Sequence, residues 1–164
     1  MEILASQAAW KQALDTLSPI RSGSAAPPIL NCVLIQARES GLTLTRTDRE
    51  RQLRTLLQVD AVTDPGEVAV DARKLAAIIA ALPPGSSVRA RQTAERLTLA
   101  VSLGGRVVSR FTLGALRGEA YPLMDLEPEP DPEPAARIPP PVHLTLPGSR
   151  LAATLYATSF AAAK

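Results

Sequence analysis

The side chains in this sequence that could carry covalent or metal chemistry are few and far apart. His143 is the single histidine. It opens an apolar run after three prolines, with no hydroxyl nucleophile and orienting acid grouped beside it as a triad requires. Cys32 is the single cysteine, set in ILNCVLI without a second thiol or a nearby histidine, so tetrahedral zinc has no support. It reads as a small buried hydrophobe in a reducing compartment, where one thiol per chain makes no internal disulfide. Asp48 and Glu50, in TRTDRERQ, form a carboxylate pair, yet their alternation with Arg49 and Arg51 describes a solvated strand end or turn. Gly104-Gly105 has neither the GxxxxGK[ST] spacing nor the following helix of a phosphate loop. Nucleophilic, metal-assisted and nucleotide-dependent catalysis each lack their residues, and no cofactor is called for.

The cations form a better pattern. The chain holds 18 Lys/Arg and 16 Asp/Glu, for a net charge of +2. Residues 1–126 carry 15 basic against 12 acidic residues, while 127–136 carry four acids and no base. A mildly basic body permits nucleic-acid binding without demanding it. Lys11 falls on the first predicted helix, Arg21 just past its end, and Arg73-Lys74 in the first turn of the second. Arg89, Arg91, Arg96, Arg106 and Arg110 are strung along three strand-like segments. Each alone reads as a solvated side chain. Together, cations on both helices of one domain could line a surface that meets phosphates without reading bases. Aromatic residues are only 3% of the chain, leaving no stacking platform for single strands, so such a surface suits duplex.

Positioning those side chains takes alternating strands and helices. EILAS reads as a short strand. Ala9, Trp10, Ala13, Leu14 and Leu17 then recur at helical spacing and stop at Ser18-Pro19. After the loop RSGSAAPP, the stretches ILNCVLIQAR, LTLTRTD and QLRTLLQVDAV read as three strands. GEVAV is another strand, and Asp71 an N-cap for ARKLAAIIAAL, which ends at Pro83-Pro84-Gly85. SVRARQT, RLTLAVSL and RVVSRFTLGAL follow, the last two joined by a hairpin turn at Gly104-Gly105. Each half therefore reads strand, helix, three strands. Ile3/Val68, Ala5/Val70, Trp10/Leu75, Ala13/Ile78 and Leu17/Leu82 are each 65 residues apart. A repeat this long predicts a pseudo-two-fold α+β domain and not a solenoid.

That domain is read as residues 1–126. Residues 127–141, acidic and proline-rich, read as an extended spacer whose acids serve solubility. In 142–164 the unit starts a third time: Leu144, Leu146, Leu151 and Leu155 fall 141 residues after Ile3, Ala5, Trp10 and Leu14. Lacking a sheet of its own, this third helix, with Leu151, Leu155, Tyr156 and Phe160, is expected to pack on the first domain or a partner, or to stay mobile. The stretch MEILASQAAWKQALD is charged throughout and no 18-residue apolar run occurs, so neither a secretion signal nor a membrane span is expected.

Five stretches resemble, in order and spacing, the β sliding clamp of bacterial DNA polymerase III. They are PPILNCVLIQ, LTLTRTDRE, VAVDARKLAAIIAALPPG, SRFTLGAL followed by Tyr121-Pro122, and LTLPGSRLAATLYATSF. The resemblance covers the family's N-terminal domain and the first strand and helix of its middle domain. It implies the DNA clamp fold, an α+β domain with two helices inside and antiparallel sheets outside. It also implies a non-catalytic, head-to-tail dimeric ring around duplex DNA in the bacterial cytoplasm. That ring would tether the replicative polymerase and be opened by a clamp loader. By position, Lys11, Arg21 and Arg73 would face DNA; Ser24 stands where the family usually has a DNA-touching arginine, and Arg21 would serve in its place. Lys74, Ile78, Arg96, Arg106, Arg110, Phe111 and Leu113 would meet the third domain of the neighbouring subunit, where sheets continue across the ring. The acidic linker is longer than the resemblance leads one to expect. Most of the middle domain and all of the third have no counterpart, so two such chains are not expected to close a ring alone.

Three classes of function follow. First is a clamp-derived, non-enzymatic replication protein. Second is a regulatory module that caps the third domain of a complete clamp and blocks ring closure. A small hydrolase built on His143 is the weakest.

Overall fold

The computed structural model describes residues 1–21, 23, 26–38, 41–124 and 147–158. By their internal contacts they fall in two units, Met1–Leu126 and Glu127–Lys164.

The first unit opens with β1 (Glu2–Ser6) and α1 (Gln7–Leu17), and a 3-10 turn at Pro28–Asn31 precedes β2 (Cys32–Arg38). Then come β3 (Gly41–Thr47), β4 (Gln52–Leu57), β5 (Ala61–Asp64), β6 (Gly66–Asp71) and α2 (Ala72–Ala81). β7 (Ser87–Thr93), β8 (Arg96–Leu103) and β9 (Arg106–Arg117) complete it, with a 3-10 turn at Gly118–Ala120. All nine strands join one antiparallel sheet in the order β4-β3-β2-β6-β9-β8-β7-β1-β5.

The repeat is real and its period changes along the chain. Ser6 caps α1 by accepting from Ala9 N at 3.2 Å, and Asp71 caps α2 by accepting from Lys74 N at 2.9 Å. Those two pairs are 65 residues apart, as the apolar spacing predicts. In the strands Cys32 pairs with Asp71 and Ser87 pairs with Ser6, so there the offset is 55. The missing ten residues belong to the connection after the helix. From Leu17 to Cys32 the chain takes a long path, whereas from Ala81 to Ser87 it takes a short one.

Two strand readings need correction. Pro28–Asn31 is a 3-10 turn, closed by Leu30 N donating to Pro27 O at 2.9 Å, so the strand begins only at Cys32. QLRTLLQVDAV is two strands, because the chain changes partners within it. β4 pairs with β3, and β5 pairs with β1 at the far end of the sheet. β9 makes the equivalent change unbroken: Arg106–Gly114 pair with β8 and Ala115–Arg117 with β6. The turn at Gly104-Gly105 is as predicted, with φ of 58° and 79°, the left-handed conformation a two-residue hairpin turn requires.

α1 and α2 pack on each other and on one face of the sheet. Trp10, Leu17, Leu75 and Ile79 are fully buried there against Ile3, Val33, Ile35, Leu97 and Leu99. Gln7 ties the helices together: its backbone N donates to Ser86 O at 2.8 Å and its Nε2 to Ile79 O at 3.1 Å. A second cluster, Cys32, Leu34, Ala69 and Tyr121, lies on the other face of the sheet.

In the second unit the described residues form one helix, α3 (Gly148–Thr158), with Leu151, Leu155 and Tyr156 exposed. The spacer over 127–141, the strand expected over 142–146, and Phe160 lie outside the described residues.

Candidate functional site

The connection from α1 to β2 brings one cation, Arg21, to the helix pair. Between α1 and α2 lies a cavity of about 700 Å³, walled by Leu14 and Ser18 on one side and by Ala72, Arg73 and Ala76 on the other. Arg21 and Arg46 also line it. Among the described residues that line this cavity three are arginines and none is acidic. Arg21 and Arg73, which the sequence places on different elements, thus share one surface. Lys11 does not line it. It is exposed one turn earlier on α1 and bridges Asp15 at 2.6 Å, a contact of a few tenths of a kcal/mol by its exposure. Ser24 lies outside the described residues.

Arg46 is the residue that sequence reasoning passed over. Strand alternation puts Leu42, Leu44 and Arg46 in one phase, the phase that packs under the helices. Its Nε is buried and has no hydrogen-bond acceptor among the described residues. Burial pushes the Arg46 guanidinium below its usual value; Arg21 acts in the same direction, while Tyr121, Asp71 and Cys32 oppose it. A charge in phase with two buried leucines was the signal that could have found it.

The neighbouring carboxylate pair is architectural. Asp48 Oδ1 accepts from Glu50 N at 3.1 Å and Arg51 N at 2.7 Å, and Oδ2 accepts from Arg51 Nη2 at 2.7 Å. These bonds, led by the Arg51 backbone N–H, hold the Asp48 carboxyl below its ordinary value. They close the turn from β3 to β4 with Arg49 at φ 76°. Cys32 is buried, its Sγ 3.6 Å from Pro28 O, and burial raises its thiol pKa. His143 lies outside the described residues. Among the described residues no three His, Cys, Asp or Glu group as metal ligands, and no helix is long and apolar enough to cross a membrane, which says nothing of a β-barrel.

The remaining expected residues lie on α2, β8 and β9. Residues 106–114 of β9 pair only with β8, so among the described residues their other edge is open. Arg106, Val107, Val108 and Arg110 are exposed along it, the two valines at 54% each. Arg96, at the start of β8, and Lys74, in the first turn of α2, are exposed as well. Ile78 and Phe111 are half-buried and pack against the main core. Leu113 is 7% exposed, and its side chain is part of that core.

Comparison with known proteins agrees with this architecture. The family described as DNA polymerase III beta subunit, N-terminal domain, matches residues 6–125. The chain is 34% identical over 101 residues to the beta sliding clamp of Pseudomonas putida, and 31% identical over 112 residues to that of Escherichia coli. These alignments take in 62% and 68% of this chain but only 26% and 29% of those proteins. The chain thus spans under a third of the curated relatives it matches. A crystal structure of the DNA polymerase III subunit beta from Pseudomonas aeruginosa superimposes with a TM-score of 0.82 at 26% identity, over 100% of this chain and 40% of that one. A second structure of that clamp, bound to griselimycin, gives a TM-score of 0.70 at 27% identity, over 78% and 33%. With the family match running from Ser6 to residue 125 over both helices and all the strands after β1, the chain belongs to the DNA polymerase III beta subunit family, the bacterial sliding clamps.

Proposed function

We propose that this chain supplies the DNA-facing first domain of a sliding clamp, a non-catalytic protein that surrounds duplex DNA and lends processivity to the replicative polymerase in the bacterial cytoplasm. The observation that carries the reading is the cavity between α1 and α2, with three arginines and no acid among the described residues that line it. Such a surface attracts the phosphate backbone by charge and carries no base-reading pattern, which is what a protein that slides requires. Arg21 and Arg73 make the phosphate contacts, and Lys11 adds charge beside them. The open edge of β9, with Arg96, Arg106, Arg110, Lys74, Ile78 and Phe111, receives the third domain of a neighbouring subunit by continuing its sheet. Leu113 supports that edge from within. Polymerase and clamp loader act on the assembled ring, and neither a cofactor nor a metal takes part.

Fluorescence anisotropy with short labelled duplexes of two unrelated sequences tests the DNA contact. The chain should bind both equally, with log affinity falling against log salt at a slope of about −2 to −3, for two to three neutralised phosphates. Arg21→Gln with Arg73→Gln should flatten that slope. A strong preference for one sequence, or an affinity indifferent to salt, contradicts the proposal.

A further inference from the structure

We propose that Arg46 completes, with Arg21 and Arg73, a pocket for one phosphate group at the floor of the α1–α2 cavity, the group being a backbone phosphodiester of duplex DNA. This inference rests on the reading of the chain as a duplex-binding clamp domain and names a contact residue within it. Three guanidiniums line one cavity, Arg21 and Arg46 repel each other, and the described residues that line it hold no carboxylate. Asp71, which caps α2 by accepting from Lys74 N at 2.9 Å, is not among those lining residues, and its pull on Arg46 is smaller than the push from Arg21. A buried Nε without an acceptor is costly in water-excluded surroundings and calls for a partner. An anion in the cavity supplies the missing acceptor and relieves the repulsion in one step.

Geometry favours the same ligand. Arg46 rises from β3 between the buried Thr45 and Thr47, so it has less freedom to lose on binding than an arginine on a loop. Its planar fork matches two phosphate oxygens at once. The first turn of α2, at Ala72 and Arg73, forms a wall of the cavity and brings the positive end of the helix dipole to it. The cavity is far larger than a lone phosphate ion, which suits a phosphate carried on a polymer.

Two measurements on the whole chain test this. In duplex anisotropy, Arg46→Gln should weaken binding about tenfold and reduce the salt slope by about one, while Arg46→Lys keeps the slope and loses part of the affinity. In thermal melts at matched ionic strength, inorganic phosphate should raise the midpoint of the parent chain above its value in chloride and should not do so for Arg46→Gln. In chloride alone Arg46→Gln should melt no lower than the parent, because it removes a buried Nε that has no acceptor among the described residues. If Arg46→Gln does not fold, the Arg46→Lys arm decides. A parent chain that binds duplex while Arg46→Gln and Arg46→Lys bind it equally well overturns the role of Arg46 and leaves the clamp reading standing. An Arg46-dependent response to phosphate in a chain that does not bind duplex overturns the duplex source and assigns the pocket to a free phosphate compound.

Discussion

The side-chain amide of Gln52 engages both backbone groups of Met124: Oε1 accepts from Met124 N at 2.8 Å and Nε2 donates to Met124 O at 3.4 Å. A side chain on β4 thereby imitates a ladder partner for the segment that leaves the first unit after its last 3-10 turn. Gln52→Ala should raise the exchange rate of the Met124 amide about tenfold and cost about 1 kcal/mol of global stability. Unaltered protection at Met124 would show that something else holds the segment.

Tyr121 has a similar duty on the other face of the sheet. Its Oη accepts from Thr47 N at 3.1 Å and donates to Cys32 O at 3.1 Å, deep in the second cluster. Tyr121→Phe should cost about 1–3 kcal/mol, read by Trp10 fluorescence in urea. Burial also raises the pKa values of Tyr121 and Cys32 above their ordinary 10.0 and 9.0. From about pH 9 the unfolded chain loses these protons before the native one does, so the contribution of the two groups is constant well below that pH and stability falls as pH rises further. Cys32→Ala should delay the onset of that fall. A profile flat to pH 11 would refute the linkage.

Gly118 touches β6 closely enough to forbid a side chain. A Cβ there would lie 2.7 Å from Glu67 Cγ and 3.0 Å from the Glu67 backbone carbon. Gly118→Ala should cost about 1–3 kcal/mol through the shift it forces. Gly114→Ala, which meets nothing within 4 Å, should cost nothing and can stabilise by about 0.5 kcal/mol. Equal denaturation midpoints for the two variants would remove the distinction.

Along β9 the exposed residues of the open edge are distinct from the core residues. Arg106→Glu with Arg110→Glu should leave the melting midpoint within a degree or two, yet weaken association with a complete family clamp about tenfold, measured by sedimentation velocity. Leu113→Ala should instead cost about 2–5 kcal/mol of stability, because its side chain is in the core. Undiminished association of the double charge reversal would move the contact elsewhere.

Much of this was readable from local pattern. Helix starts were legible because Ser6 and Asp71 precede apolar residues at helical spacing, and the hairpin because two glycines follow an alternating strand. The break between β4 and β5 was not, since Leu53, Leu57, Val59 and Val62 keep an apolar rhythm through it and the change of partner is a tertiary event. Arg21 and Arg73 were legible as basic residues beside helices, though only packing shows that one cavity receives both. Arg46 was hidden by its charged neighbours in TRTDRER, and its phase with Leu42 and Leu44 becomes meaningful once the helices are known to cover that face. The grip of Gln52 on Met124 spans 72 residues and leaves no trace in the local sequence.

The two halves of the domain share caps and ladders, but not the three arginines of the cavity. At the pseudo-symmetric positions of Arg46 and Arg73 stand Val101 and Ala8, and the connection that carries Arg21 has a short, uncharged counterpart at residues 82–86. A domain with matching halves would present the same face whichever way it lay along a duplex, whose strands run in opposite directions. The duplicated frame is indifferent to direction; three unduplicated arginines give this domain a front and a back.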